Sequence, residues 1–266
     1  MTRRGISCIW PGRAPLIGMI HLLPLPGAPR WGGSMQAVIA QAVSDAQALT
    51  EAGFDGLMVE NYADIPFFSG RVPPETVSGI TAAVLAVRAA SPLPVGVNVL
   101  RNDASAAIAI AVVTGATFVR VNVHVGSMWT DQGLIEGKAA ETLRRRAELG
   151  AEVSILADVH VKHATPPTGS DLAAAASDTW HRGLADALIV SGIGTGVAAS
   201  AVDFDTVRSA VPDAPILAGS GVSDRDVADV LDRADGAIIG SSVMFEGLAG
   251  SGIDGVRARA LAGARG

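Results

Sequence analysis

Short runs of apolar and β-branched residues recur along the chain, separated by longer Ala-rich stretches with helical spacing. The runs are LIGMIH from Leu16, DGLMVEN from Asp55, PVGVNVL from Pro94, TFVRVNV from Thr117, EVSILADV from Glu152, DALIVSG from Asp186, APILAGSG from Ala214 and DGAIIGSS from Asp235. Their starts lie about 31 residues apart, the length of one strand–helix–strand unit. The segments between them predict helices over 34–52, 74–90, 103–114, 134–149, 170–182, 203–210, 223–233 and 253–263. Ser34, Asp103, Ser170, Asp203 and Ser223 offer side-chain oxygens to the unpaired N–H groups of helix N-termini. Gly53, Gly115, Gly150 and Gly183 stand at helix ends, where left-handed C-caps belong. Eight successive β-then-α units predict an α/β fold of the (β/α)8 TIM-barrel type, with an open doubly wound sheet as the rival. No linker or charge run divides the chain, so 1–266 reads as one domain, with 1–14 as an extension ahead of the first strand.

Within a strand, successive side chains point to opposite faces. In the fifth run Val153, Ile155, Ala157, Val159 and Val161 form an apolar, helix-facing set opposed by Ser154, Leu156, Asp158, His160 and Lys162. In the fourth, Val119, Val121 and Val123 oppose Arg120, Asn122 and His124; in the third, Asn98 faces the same way; in the second, Glu60 does, and His21 ends the first. Burying so many polar groups costs free energy unless they pair or bind something. One reading is an internal ion-pair network, with Arg120 against Glu60 or Asp158. The other is a site at the C-terminal strand ends, where barrel enzymes place theirs. In that reading Glu60, Asp158 and Lys162 are the catalytic set, and His21, Asn98, Arg120, Asn122, His124 and His160 surround the substrate. Glu60, His124, Asp158 and His160 are also N/O donors of the kind that hold a divalent metal. No HExxH-type spacing accompanies them, and the expectation is that neither metal nor cofactor is used. His163 and His181 are given no site role.

The seventh run ends AGSGV (218–222) and the eighth leads into IIGSSVMF (238–245). Phosphate sites in barrels often use these two loops, where glycines let backbone N–H groups turn towards an anion. With the SGIGTGV loop (191–197) on the same rim, the expected phosphate cradle is Gly192, Gly219, Ser220, Gly221, Gly240 and Ser241. Tight turns are the alternative use of such residues. The strand-to-helix connections 22–33, 62–73, 125–133 and 163–169 are long, and three of them carry Trp31, Phe67, Phe68 and Trp129. These aromatics suggest a lid or an interface.

Composition narrows the classes. A formal charge of −6 over 266 residues argues against a nucleic-acid binder, yet leaves room for a local positive pocket. The single Cys8 excludes an internal disulfide. Charge, Gly or Pro interrupts every apolar run before the ~18 residues a membrane span needs. Met1–Pro11 carries Arg3 and Arg4 without the apolar core of a signal peptide. The expectation is a cytoplasmic protein with no nucleic-acid partner and no membrane span.

GMIHLLPLPGAP, GVNVLRND, FVRVNVHVG, TDQGLIEG, ADVHVKH, ADALIVSGIGTG and GSGV, spread from Gly18 to about Met244, resemble the BtpA/SgcQ family, also called the photosystem I biogenesis protein BtpA family. The resemblance implies a TIM-like barrel related to phosphate-binding barrels, with members suggested to act on nucleosides or nucleotides. Where relatives often show VNVF, this chain has VNVHV, which adds His124. The functional expectation is an enzyme acting on a phosphorylated small molecule, a sugar phosphate or nucleotide-like compound. Acid/base catalysis would serve glycosidic-bond, isomerase or lyase chemistry. The alternative is a non-catalytic biogenesis or stability factor for a photosystem or another complex. A homo-oligomer is left open.

Overall fold

All eight expected runs form parallel strands of one closed barrel in the computed structural model, which describes residues 5–192 and 194–266. The first four residues of the expected N-terminal extension and Ile193 of the SGIGTGV loop lie outside the described residues. In chain order the elements are β1 (Leu16–His21), α1 (Met35–Glu51), β2 (Gly56–Glu60), α2 (Pro74–Ala90), β3 (Val95–Asn98), α3 (Ala104–Thr114), β4 (Phe118–Val121), β5 (Ser127–Thr130), β6 (Gly133–Glu136), α4 (Ala139–Glu148), β7 (Ser154–Val159), β8 (Ala164–Thr165), α5 (Leu172–Ser177), β9 (Ala187–Val190), α6 (Ala201–Ala210), β10 (Ile216–Ala218), α7 (Val227–Leu231), β11 (Ala237–Ile239) and α8 (Gly255–Gly263). Around the barrel the order is β1-β11-β10-β9-β7-β4-β3-β2, so these eight strands close instead of forming an open doubly wound sheet. Among the described residues no helix is long and apolar enough to cross a membrane.

Register decides which polar residues meet. His21 pairs with Glu60, Glu60 with Asn98, and Asn98 with Arg120 across β1, β2, β3 and β4. Partners in adjacent parallel strands share a face, so these four form one continuous row inside the barrel. Their neighbours Val59, Val97, Val119 and Ile155 are buried on the helix side.

The N-terminal end of the barrel is closed by aromatic packing. Trp10, from the segment before β1, meets Phe118 edge-on at 5.3 Å and donates from Nε1 to the Asp55 carbonyl at 2.7 Å. The Asp55 carboxylate also receives Arg13 at 3.1 Å and Arg265 at 2.6 Å, tying both ends of the chain to the same corner.

Several expected boundaries shift. The expected helix 134–149 starts only at Ala139, because 127–136 folds as the β5/β6 hairpin, extended by β8 into a three-stranded antiparallel sheet. Met128 and Ile135 alternate with more exposed neighbours and bury against Val123 and Val161, a period-two pattern incompatible with a helix. The expected helix 170–182 is α5 followed by a π-helical turn over Asp178–Arg182. Its cap is Asp171, since the Ser170 hydroxyl is taken by His160. At α6 the cap is Ser200, with Asp203 completing a capping box. Ser223 does not cap α7. Gly183 is no left-handed cap either: its φ is −77°, and Leu184 takes the positive φ of 52° instead. A Cβ on Gly183 would collide with Val125 and the Thr179 carbonyl, so close packing requires glycine there.

Trp10→Ala is expected to cost about 3–5 kcal/mol of unfolding free energy, the range for emptying a large buried aromatic site. Urea denaturation followed by circular dichroism measures it; a loss below about 1 kcal/mol would show that this segment does not seal the barrel.

Candidate functional site

The polar row leads to the C-terminal mouth. Glu60 Oε2 accepts from Asn98 Nδ2 at 2.6 Å, and its Oε1 lies 3.6 Å from His21 Nε2. The His21 ring stacks on Tyr62 with centroids 4.2 Å apart. Burial outweighs the attraction of Glu60 and pushes the His21 pKa down to about 4, so the imidazole is neutral near pH 7. Arg120 grips Asp158 with two bonds, Nε to Oδ2 at 2.8 Å and Nη2 to Oδ1 at 2.7 Å. Burial opposes the Arg120 charge, but Asp158 beside it holds the guanidinium pKa above its ordinary value.

Above this layer opens a cavity of about 290 Å³. His21, Glu60, Arg120, Asn122 and Lys162 line one part, and Gly219, Ser220, Gly221, Gly240 and Ser241 line another. Burial, reinforced by Arg120, brings the Lys162 pKa down to about 8. At the glycine-rich wall, Gly221 has φ +73°, and a Cβ there would overlap Ala198. The N–H groups of Ser241 and Ser242 open the 3₁₀ turn Ser241–Val243 and therefore have no partner within it. Ser242 Oγ is buried without a hydrogen-bond partner among the described residues.

The remaining expected site residues lie elsewhere. Asn98 and Asp158 do not line this cavity; the first supports Glu60 and the second is held by Arg120. His124 is buried outside the cavity, its Nε2 against the Gly183 carbonyl at 2.8 Å. His160 has φ +52°, which swings its ring off the strand alternation to meet Ser170 Oγ at 2.9 Å. It faces a second cavity of about 440 Å³ between the β5 side and α5. Gly192 donates its N–H to Ser220 Oγ at 3.1 Å, and that hydroxyl binds the Val197 carbonyl at 2.8 Å, so both knit loops together. The possible metal donors Glu60, His124, Asp158 and His160 are thus dispersed. Of Trp31, Phe67, Phe68 and Trp129, Phe67 lines the cavity, while Phe68 and Trp129 are exposed.

Tyr62, Arg101, His163, Thr195 and Ser242 line the cavity without having been expected. Each lies outside the barrel strands, where period-two reasoning gives no direction. Arg101 and His163 lie a few residues beyond strand ends, and that position was the available signal. The Leu100–Arg101 peptide is cis. Arg101 Nη2 donates to the Lys162 carbonyl at 2.7 Å. His163 Nε2 accepts the Thr195 N–H at 3.1 Å.

A family model described as the BtpA family matches residues 12–265. The chain belongs to the BtpA family. It is 47% identical over 247 residues to the photosystem I biogenesis protein BtpA of Synechocystis, covering 93% of this chain and 86% of that protein. An uncharacterized protein of Pyrococcus furiosus is 43% identical over 249 residues, covering 94% of both. Among solved structures, an archaeal fructose 1,6-bisphosphate aldolase superposes with TM-score 0.57 at 15% identity, over 97% of this chain and 96% of that one. A phosphoribosyl anthranilate isomerase of Thermus thermophilus gives TM-score 0.57 at 12% identity, over 94% and 98%. These two likenesses show the TIM-barrel fold of this BtpA-family member.

A neutral buried histidine makes stability depend on pH. Unfolded His21 takes up a proton as pH falls through about 6.5, whereas the folded form resists until about 4. Stability from this residue is therefore lost on acidification across that window, at up to about 1.4 kcal/mol per pH unit. His21→Asn is expected to flatten the decline in urea-unfolding free energy between pH 6.5 and 4. An equally steep decline in the variant would place the neutral imidazole elsewhere.

Proposed function

We propose that this BtpA-family chain is an enzyme that moves a proton on a phosphorylated small molecule, in isomerase- or lyase-type chemistry. One observation carries the reading: Glu60 and a lysine whose pKa is brought down to about 8 share a single cavity with the glycine- and serine-rich loops after β10 and β11. The phosphate would rest on backbone N–H groups around Gly221 and Ser241, with Gly219, Ser220 and Gly240 shaping the cradle. Lys162 has both its ammonium and its amine accessible near neutral pH, the condition under which a group both gives and takes protons effectively. The Glu60 carboxyl, oriented by Asn98 and flanked by His21, is the complementary proton carrier.

Glycosidic cleavage is the weaker fit. It needs two carboxyl groups flanking the scissile bond. Among the described residues Glu60 is the one carboxyl lining this cavity, since Asp158 is turned into its pair with Arg120.

Mass spectrometry of small molecules released from the purified protein supplies the phosphorylated species to be assayed. Glu60→Gln is expected to lower its turnover at least about a hundredfold, the low end for losing an acid–base group, while the compound still binds. Wild-type turnover in the variant would remove Glu60 from the chemistry. Binding without any turnover in the native chain would favour the non-catalytic factor.

A further inference from the structure

Three arginines are buried among the described residues: Arg101, Arg120 and Arg146. Arg120 is paired with Asp158 at 2.7 Å and Arg146 with Asp186 at 2.5 Å. Arg101, only 5% exposed, has no carboxylate at ion-pair distance among the described residues. Its guanidinium bonds to the Lys162 carbonyl at 2.7 Å, which uses one of the five N–H donors an arginine carries. Lys162 is in the same position: its ammonium forms no ion pair among the described residues. Both line the cavity. Glu60, bonded to Asn98 and beside His21, forms no ion pair with either, although its charge favours both cations.

A buried Arg101 and a half-buried Lys162, neither in an ion pair, are costly to hold together unless something anionic joins them. Their surroundings register that cost. Burial pushes the Arg101 pKa down, with Asp158 and Glu60 acting against it. Burial, then Lys162 and Arg101, holds His163 below its ordinary value.

The glycine-rich cradle does not account for Arg101, which lies on the other wall. Arg101 follows β3, and β3 stands four strands from β10 in the eight-strand ring, directly across the barrel. We infer that the substrate carries a second anionic group, a carboxylate or second phosphoryl, held by Arg101 and Lys162 across the cavity from the phosphate on the β10 and β11 loops. The inference rests on the proposed phosphate site. A guanidinium fork suits either group, since both present two oxygens to parallel N–H donors. A substrate spanning the two walls would have its central atoms carried over Glu60, which projects from β2 beside β3.

Isothermal titration calorimetry on the full chain with two matched pairs tests this: glycerol 3-phosphate against 3-phosphoglycerate, and ribulose 5-phosphate against ribulose 1,5-bisphosphate. In at least one pair the doubly anionic member is expected to bind about tenfold tighter or more, the scale of a charge-assisted hydrogen bond. Arg101→Gln is expected to bring that ratio near one, and Arg101→Lys to restore part of it. Equal binding within both pairs, or a ratio that survives in Arg101→Gln, would overturn the second-anion inference while leaving the phosphate site standing. If no phosphorylated member binds at all, the phosphate site itself is wrong and the inference falls with it.

Discussion

Inside the barrel, the Arg120 guanidinium closes on the Asp158 carboxylate with side chains 3% and 0% exposed. Breaking such a pair by removing one partner costs about 3–5 kcal/mol, because the survivor is left charged and buried. A well-packed apolar pair of the same volume would be as stable, so the pair is weak evidence of a stabilising device. Its consequence lies in the charge it removes from play. Asp158 becomes a fixed counter-ion beneath the cavity, steadied by Ser191 at 3.4 Å and Asn122 at 3.5 Å. With Arg120 paired, the character of the mouth is decided by Glu60, Lys162 and Arg101 together.

The two ends of the barrel divide the labour. The N-terminal end is sealed by Trp10 and Phe118 and latched at Asp55. The C-terminal end carries the long loops and the polar row His21, Glu60, Asn98 and Arg120, kept in line by ladder register. A site built on strands has its geometry set by the sheet, and loops then supply the groups that vary. Here the loops bring Tyr62 onto His21, Arg101 onto Lys162 and His163 onto Thr195.

The barrel was legible in the sequence because eight strand-like runs alternating with helical stretches have few other solutions, and the two-residue period within the runs correctly turned Glu60, Asn98 and Arg120 inward. It failed where it was carried past the last ladder bond. β4 ends at Val121 and β7 at Val159, so His124 and His160 lie beyond the pleat that would orient them. His124 goes to the Gly183 carbonyl and His160, with positive φ, to Ser170. Asp158 was placed on the correct face, but its partner follows from which inward groups lie close enough to bond. Sequence leaves Glu60 and Asp158 equivalent as partners of Arg120, and geometry selects Asp158. Arg101 was missed because a loop has no periodicity from which to infer burial. The first hairpin strand fell in the expected loop 125–133, and Leu134–Glu136 of the second was taken into the expected helix 134–149 because it lies just ahead of α4.

The central claim is that a closed Arg120–Asp158 pair leaves Lys162 as the cavity's tunable proton carrier. The chain has only two lysines, Lys138 and Lys162, so isotope-labelled lysine side chains can be followed by NMR through a pH titration and assigned with Lys138→Arg. The account predicts a Lys162 pKa of about 8 in the native protein. It predicts a lower value in Asp158→Asn, where the repulsion of Arg120 and Arg101 is no longer offset by that carboxylate. A native Lys162 titrating near 10.5, its ordinary value, or an unchanged pKa in the folded variant, would contradict it.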